Sequence, residues 1–212
     1  DPSVSGPATG PMLSIFAALN SLGVIAVRPL LLAIANTENP ELGMKRILEL
    51  VVRRIVVGSL GTGNVERRLG DAARKIKLQG SWENGLNDLR DLNPSREDFQ
   101  SQLKKRSYNK STLTFLRRSV VENSQTPSRI GNLHFICPKQ SEDWRGMNEE
   151  DRAFWCSTIG NTMLSSFARR TPESTSWDTF KSTMLPSAVE NEISDYLDQF
   201  SVWDSQAIGT TG

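Results

Sequence analysis

The sequence predicts a mainly α protein with a small α+β part. Three observations carry this. Apolar residues recur at helical spacing through the first 125 residues, a Pro-containing polar stretch "ENSQTPSRIGN" then interrupts the pattern, and short apolar runs of strand length follow it. The predicted organisation is a helical domain over 1–125 and a mixed α+β domain over 126–212.

"MLSIFAAL" from Met12 and the run from Pro29 are apolar nearly all round, as expected of helices buried in a bundle. "NPELGMKRILELVVRRIVVGSLG" predicts a helix of about five turns. Asn39 or a neighbour is its cap, Pro40 its first turn, and Leu42, Ile47, Leu50, Val51 and Ile55 its apolar stripe; Gly58, Gly61 and Gly63 end it. "NVERRLGDAARKIK" places Val65, Leu69, Ala72, Ala73 and Ile76 on one face behind Asn64 as cap. "SREDFQSQLKKRS" opens with Ser95 and Asp98 in capping-box positions, with Asp replacing the preferred Glu or Gln. "STLTFLRRSVVEN" carries Leu113, Leu116 and Val120 at helical spacing.

Beyond the interruption, "NLHFIC" has the length and aromatic content of a strand, and "NTMLSS" reads as a second. "NEEDRAFWCSTIG" is an acid-capped short helix, "SWDTFKSTML" a helix started by Ser176, and "SAVENEISDYLDQFSVW" a helix with Val189, Ile193 and Leu197 on its face.

Composition narrows the function classes. The 25 Lys and Arg against 24 Asp and Glu leave a formal charge of +1, so a polyanion would have to be met by a local patch. The clusters available are Arg53 and Arg54, Lys104 to Arg106, Arg117 and Arg118, and Arg169 and Arg170. No run reaches the ~18–20 apolar residues of a membrane span; "VIAVRPLLLAIA" is short and broken by Arg28 and Pro29. Cys137 and Cys156 lack zinc spacing and read as buried thiols of a reducing, cytoplasmic compartment. The opening "DPSVSGPATGP" has no basic leader pattern and no Met, so the chain reads as a cut fragment. "SLGTGN" lacks the Lys-Ser/Thr of a phosphate loop and reads as a helix-to-helix turn. The Trp residues, Trp144, Trp155 and Trp177 among them, are expected as core and loop anchors.

His134 is the only histidine. It stands in "LHFICPKQSEDW", and a lone His in an apolar strand is more often packed than catalytic. Strand, strand and helix around one His is nevertheless the outline of a ββα-metal nuclease site, in which a His activates water and a divalent ion stabilises phosphate charge.

The chain as a whole resembles the C-terminal, HNH-nuclease-like part of GmrSD-type modification-dependent restriction proteins, which usually follows an N-terminal ParB-like nucleotide-hydrolysing domain. "HFICPKQSEDWRGMNEEDRAFWCSTIGNTMLSS" is similar to that family's Glu-His-Ile-x-Pro phrase, Trp and Gly-Asn phrase. "SWDTFKSTML" is similar to the segment with its Lys, and "VWDSQAI" to the start of its terminal helix. The resemblance implies a degenerate HNH-like ββα core. Aligned on Ile136 and Pro138, the family's catalytic His falls on Phe135 and its acidic metal ligand on His134. Asn161 takes the structural Asn and Lys181 the family's Lys, while the metal-side Asn falls near Arg169, which cannot ligate a cation.

The implied function is a DNA-interacting module of a restriction or antiphage-defence protein, with His134, Asn161 and Lys181 as the catalytic remnant. Arg169, Arg170 and Lys181 are the candidate DNA contacts, and a nucleotide-hydrolysing domain or partner subunit is implied beside them. Two alternatives stand beside it. One is an active endonuclease in which a bulged strand restores His134 as base and ligand of Mg or Mn, with Glu142 or Asp143 assisting. The other is a structural domain that positions the nucleotide-hydrolysing domain.

Overall fold

The computed structural model describes residues 10–59, 63–139, 144, 146–168 and 176–212. The chain is mainly helical, and its described residues hold one two-stranded antiparallel sheet. It divides into two compact units, Asp1–Gln102 and Leu103–Gly212. The division falls ahead of the expected boundary at 125 because the helix over 110–121 packs on both strands of the sheet.

The first unit contains α1 (Gly10–Ser21), α2 (Arg28–Ile34), α3 (Pro40–Val57), α4 (Gly63–Gln79) and α5 (Trp82–Asn87). Helix α2 packs on α4, α1 on α3, and α5 on α4 and α3. Pro40 opens α3 as expected, but Asn39 adopts a left-handed conformation and its side chain makes no cap. At the other end Gly58, with φ +79°, lets Ser59 N–H donate back to the Arg54 carbonyl at 2.9 Å. The buried face of α3 runs through Met44, Ile47, Leu48 and Val51. Leu42, expected in that stripe, is instead half exposed at the first turn. On α4 all five expected residues are buried, whereas Asn64 lies inside the first turn instead of capping it.

α6 (Arg96–Lys105) starts on the expected Ser95 and Asp98 pair: Asp98 N–H donates to Ser95 Oγ at 3.0 Å, and the Ser95 hydroxyl donates to the Asp98 carboxylate at 2.9 Å. The second unit then holds α7 (Lys110–Val121), β1 (Asn132–Phe135), α8 (Glu149–Trp155), β2 (Thr162–Ser165), α9 (Trp177–Thr183), α10 (Asn191–Asp198) and α11 (Ser205–Thr211). Asn109, Asn148, Ser176 and Asp204 cap α7, α8, α9 and α11 by accepting the N–H three residues on. β1 and β2 pair antiparallel in unbroken register, from Asn132 opposite Ser165 to Phe135 opposite Thr162. Val189 does not join α10; its N–H donates to the Leu164 carbonyl at 2.9 Å, so it extends the sheet side of the segment.

The core of this unit is aromatic. Trp203, fully buried, stacks on Trp177 at 5.0 Å between ring centroids and meets Phe200 edge-on at 5.5 Å. Trp144, Phe180, Ile136 and Met163 complete it. Beside it α11 lies directly on Gly160: a Cβ there would sit 2.1 Å from the Ile208 carbonyl oxygen. A backbone atom cannot swing aside as a side chain can, so Gly160→Ala is expected to cost about 2–4 kcal/mol of stability. Urea unfolding followed by Trp fluorescence checks this. Gly209→Ala is the control, because its Cβ would meet only the Trp155 ring at 3.4 Å.

Candidate functional site

The regular register answers the bulge question. The four pairs of β1 and β2 continue directly into the Ile136 N–H to Asn161 carbonyl bond at 3.0 Å, so no extra residue enters the strand at His134. Cross-strand partners share a face and neighbours along a strand alternate. His134 therefore lies on the face of Met163, and Phe135 on the opposite one with Thr162.

His134 is 5% exposed and its Nε2 lies 2.8 Å from the Phe167 carbonyl oxygen. A carbonyl only accepts, so this nitrogen carries the proton and donates. Nε2 therefore has no lone pair to offer to water or a cation, and the lone pair on the neutral ring's other nitrogen belongs to a side chain that is 5% exposed. Burial holds the imidazole's pKa below its ordinary value, the Phe167 bond opposes this, and the charge of Lys110 adds to the lowering.

Asn161 is fully buried and its amide is saturated. Oδ1 accepts from Cys137 N–H at 2.9 Å and from Trp203 Nε1–H at 3.0 Å. Nδ2 donates to the carbonyls of Cys137 at 2.8 Å and Cys156 at 3.0 Å. Lys181 sits 5.5 Å over the Trp177 ring, with Nζ 3.4 Å from the Phe200 carbonyl and 3.8 Å from Asp198. Each of the three residues is thus engaged with a different part of the unit.

Cys137 and Cys156 are buried free thiols, and burial pushes Cys137 up to about 12. Among the described residues no three His, Cys, Asp or Glu side chains gather into a set that could hold a cation. Glu142, Asp143, Arg169 and Arg170 lie outside the described residues, as does Gly61.

Two of the three basic clusters among the described residues are spent internally. Arg53 donates to the Pro94 carbonyl at 3.2 Å and pairs with Glu49 at 3.1 Å. Arg54 is buried and donates to the carbonyls of Leu92 and Ser59. Arg117 is buried 3.9 Å from Glu190, and burial lowers its pKa while the carboxylate partly restores it. Arg118 donates to the carbonyls of Ile130 at 2.9 Å and Gly131 at 2.6 Å. Lys104 and Lys105 stay at the surface, followed by half-exposed Arg106 and exposed Lys110. The sequence signal for this group is the stretch from Leu103 to Val121, which has no acidic residue.

No family model, no curated protein and no solved structure matches the chain.

Two outcomes follow from this geometry. Asn161→Ala strands four buried partners and is expected to cost about 3 kcal/mol or more, at roughly 1 kcal/mol per hydrogen bond before the penalty for unpaired groups; chemical denaturation measures it. For His134 the folded pKa lies below the unfolded one, so its contribution is complete above the unfolded value of about 6.5 and is lost as pH falls further. Gln donates to the same carbonyl without titrating. The stability advantage of wild type over His134→Gln should therefore shrink between pH 7.5 and pH 5, as followed by urea unfolding at each pH.

Proposed function

We propose that this chain is a DNA-interacting module of the restriction or antiphage-defence type, in which a ββα frame resembling an HNH nuclease is kept while His134 does no hydrolytic work. The observation that carries the reading is the His134 Nε2–H to Phe167 carbonyl bond at 2.8 Å in a 5% exposed position. A general base must present a lone pair to water within reach of the phosphate; Nε2 is already a donor, and a ring that is 5% exposed gives water little access to its other nitrogen. Phe135, the residue aligned with the family's catalytic His, is on the other face of the strand. The order β1, β2, α9 and the Gly160–Asn161 phrase support the frame.

On this reading any strand cleavage belongs to another domain or subunit, such as a nucleotide-hydrolysing partner, and this module contributes binding. The test is a plasmid nicking assay in Mg or Mn with wild type and His134→Ala. Neither should cut. Cutting by wild type that is lost in His134→Ala establishes instead an active, metal-dependent endonuclease. In parallel, duplex DNA binding should fall steeply with salt and weaken in an Arg169→Ala, Arg170→Ala variant. A wild-type protein that binds no DNA at 50 mM salt would falsify the binding half of the proposal.

A further inference from the structure

We infer that residues 104–110, together with Phe154, form a contact surface for single-stranded nucleic acid. The inference takes its class of partner from the DNA-interacting reading, but it assigns the contact to residues other than Arg169, Arg170 and Lys181.

Charge is the first ground. The second unit is polarised along its sequence: residues 103–129 hold seven Lys and Arg against one acid, Glu122, whereas residues 130–212 hold six against twelve. Of those seven, Arg117 is buried beside Glu190 and Arg118 is bound to backbone carbonyls. Of the other five, Arg129 stands apart, and Lys104, Lys105, Arg106 and Lys110 fall within one span of seven residues. Among the described residues Lys104, Lys105 and Lys110 have no ion pair, and all three are exposed. Three such cations within seven residues attract a chain of phosphates far more strongly than the net charge of the molecule suggests.

The second ground is that the strip is held in place. Tyr108 N–H donates to the Ser157 carbonyl at 2.8 Å, and the Ser107 hydroxyl donates to the Phe154 carbonyl at 3.0 Å. Tyr108 is half-buried, and Asn109 caps α7 directly after it. The path between α6 and α7 is therefore fixed against the end of α8.

The third ground selects single strands. The residue to which Ser107 is tied, Phe154, is 43% exposed, with its ring braced edge-on against Trp155 at 5.2 Å. A supported, accessible aromatic ring beside a row of cations is the arrangement on which unpaired bases stack while their phosphates meet the cations. A paired duplex keeps its bases stacked inside and gains nothing from the ring. An acidic membrane surface would use the lysines but not this base-stacking geometry.

Fluorescence anisotropy tests the inference, with the full chain titrated against labelled 20-mers of oligo-dT and oligo-U, a 20-base-pair duplex, and phosphatidylserine vesicles. Single strands should bind more tightly than duplex. The Lys104→Glu, Lys105→Glu, Lys110→Glu variant should lose at least about tenfold in single-strand affinity and show a shallower salt dependence. Phe154→Ala should lose about fivefold or more on single strands and leave duplex binding unchanged. All sites are exposed, and an unchanged thermal unfolding midpoint confirms that the variants fold. Single-strand binding that is the same in wild type and the triple variant overturns the strip and leaves the DNA-interacting reading standing. Strip-dependent binding to oligo-U with none to either DNA supports the strip and overturns that reading. Binding to vesicles alone overturns the strip as a nucleic-acid surface.

Discussion

The second unit depends on one buried amide. Asn161 offers two acceptor sites and two donors, and the fold fills all four with groups from three separate stretches of chain: Cys137, Cys156 and Trp203. An amide inside a protein costs free energy unless its partners are present, so each stretch must arrive in its place for the others to be stable. The result joins the end of β1 to the end of α8 and to the approach of α11. Aspartate in this position would turn two donors into acceptors facing two carbonyls. Alanine would leave the Trp203 indole and the Cys137 backbone unpaired.

The aromatic core grows from that point. Trp203 hands its N–H to Asn161 and receives the Trp144 N–H on its own carbonyl at 2.9 Å. Its ring stacks on Trp177, whose N–H in turn reaches the Phe200 carbonyl at 2.9 Å. Each indole thus buries a large apolar area and spends its one polar group on a defined partner, which fixes orientation as well as depth. Lys181 belongs to the same structure: it lies over Trp177 and reaches toward the carbonyl that Trp177 already uses. That environment accounts for the residue as a cap on the aromatic stack.

Much of the fold was legible because helices and their caps are local. The stripe on α4 follows from the 3.6-residue period, and Ser95, Ser176 and Pro40 announce helix starts by chemistry confined to one turn. The two strands and their order were also readable, from short apolar runs between turn residues. What was not legible depends on distant partners. Nothing near Asn39 says that its backbone will turn left-handed, and Leu42 leaves the stripe because the buried face of α3 is set by its neighbours α1, α2 and α5. Arg54 and Arg117 read as surface charge until their partners, Leu92 and Glu190, are brought to them across the fold. The partner of His134 is a backbone carbonyl 33 residues away, which no side-chain pattern encodes.

This separates what the Gly160–Asn161 phrase can support from what it cannot. Gly160 is required because α11 touches its Cα, and Asn161 because four buried groups converge on it. Both requirements hold whether or not any phosphate is ever hydrolysed. Residues that packing and hydrogen bonding require therefore speak for the fold alone. Chemistry has to be judged at the candidate base itself, at positions 134 and 135. There the alternation of β1 sends His134 to the face of Met163 and into a bond with Phe167, and leaves Phe135 on the opposite side. An intact strand pair around a buried histidine whose Nε2 donates to a backbone carbonyl is accounted for by packing and hydrogen bonding alone. Lys104, Lys105 and Lys110 stay at the surface instead, where the proposed contact with a phosphate chain is assigned.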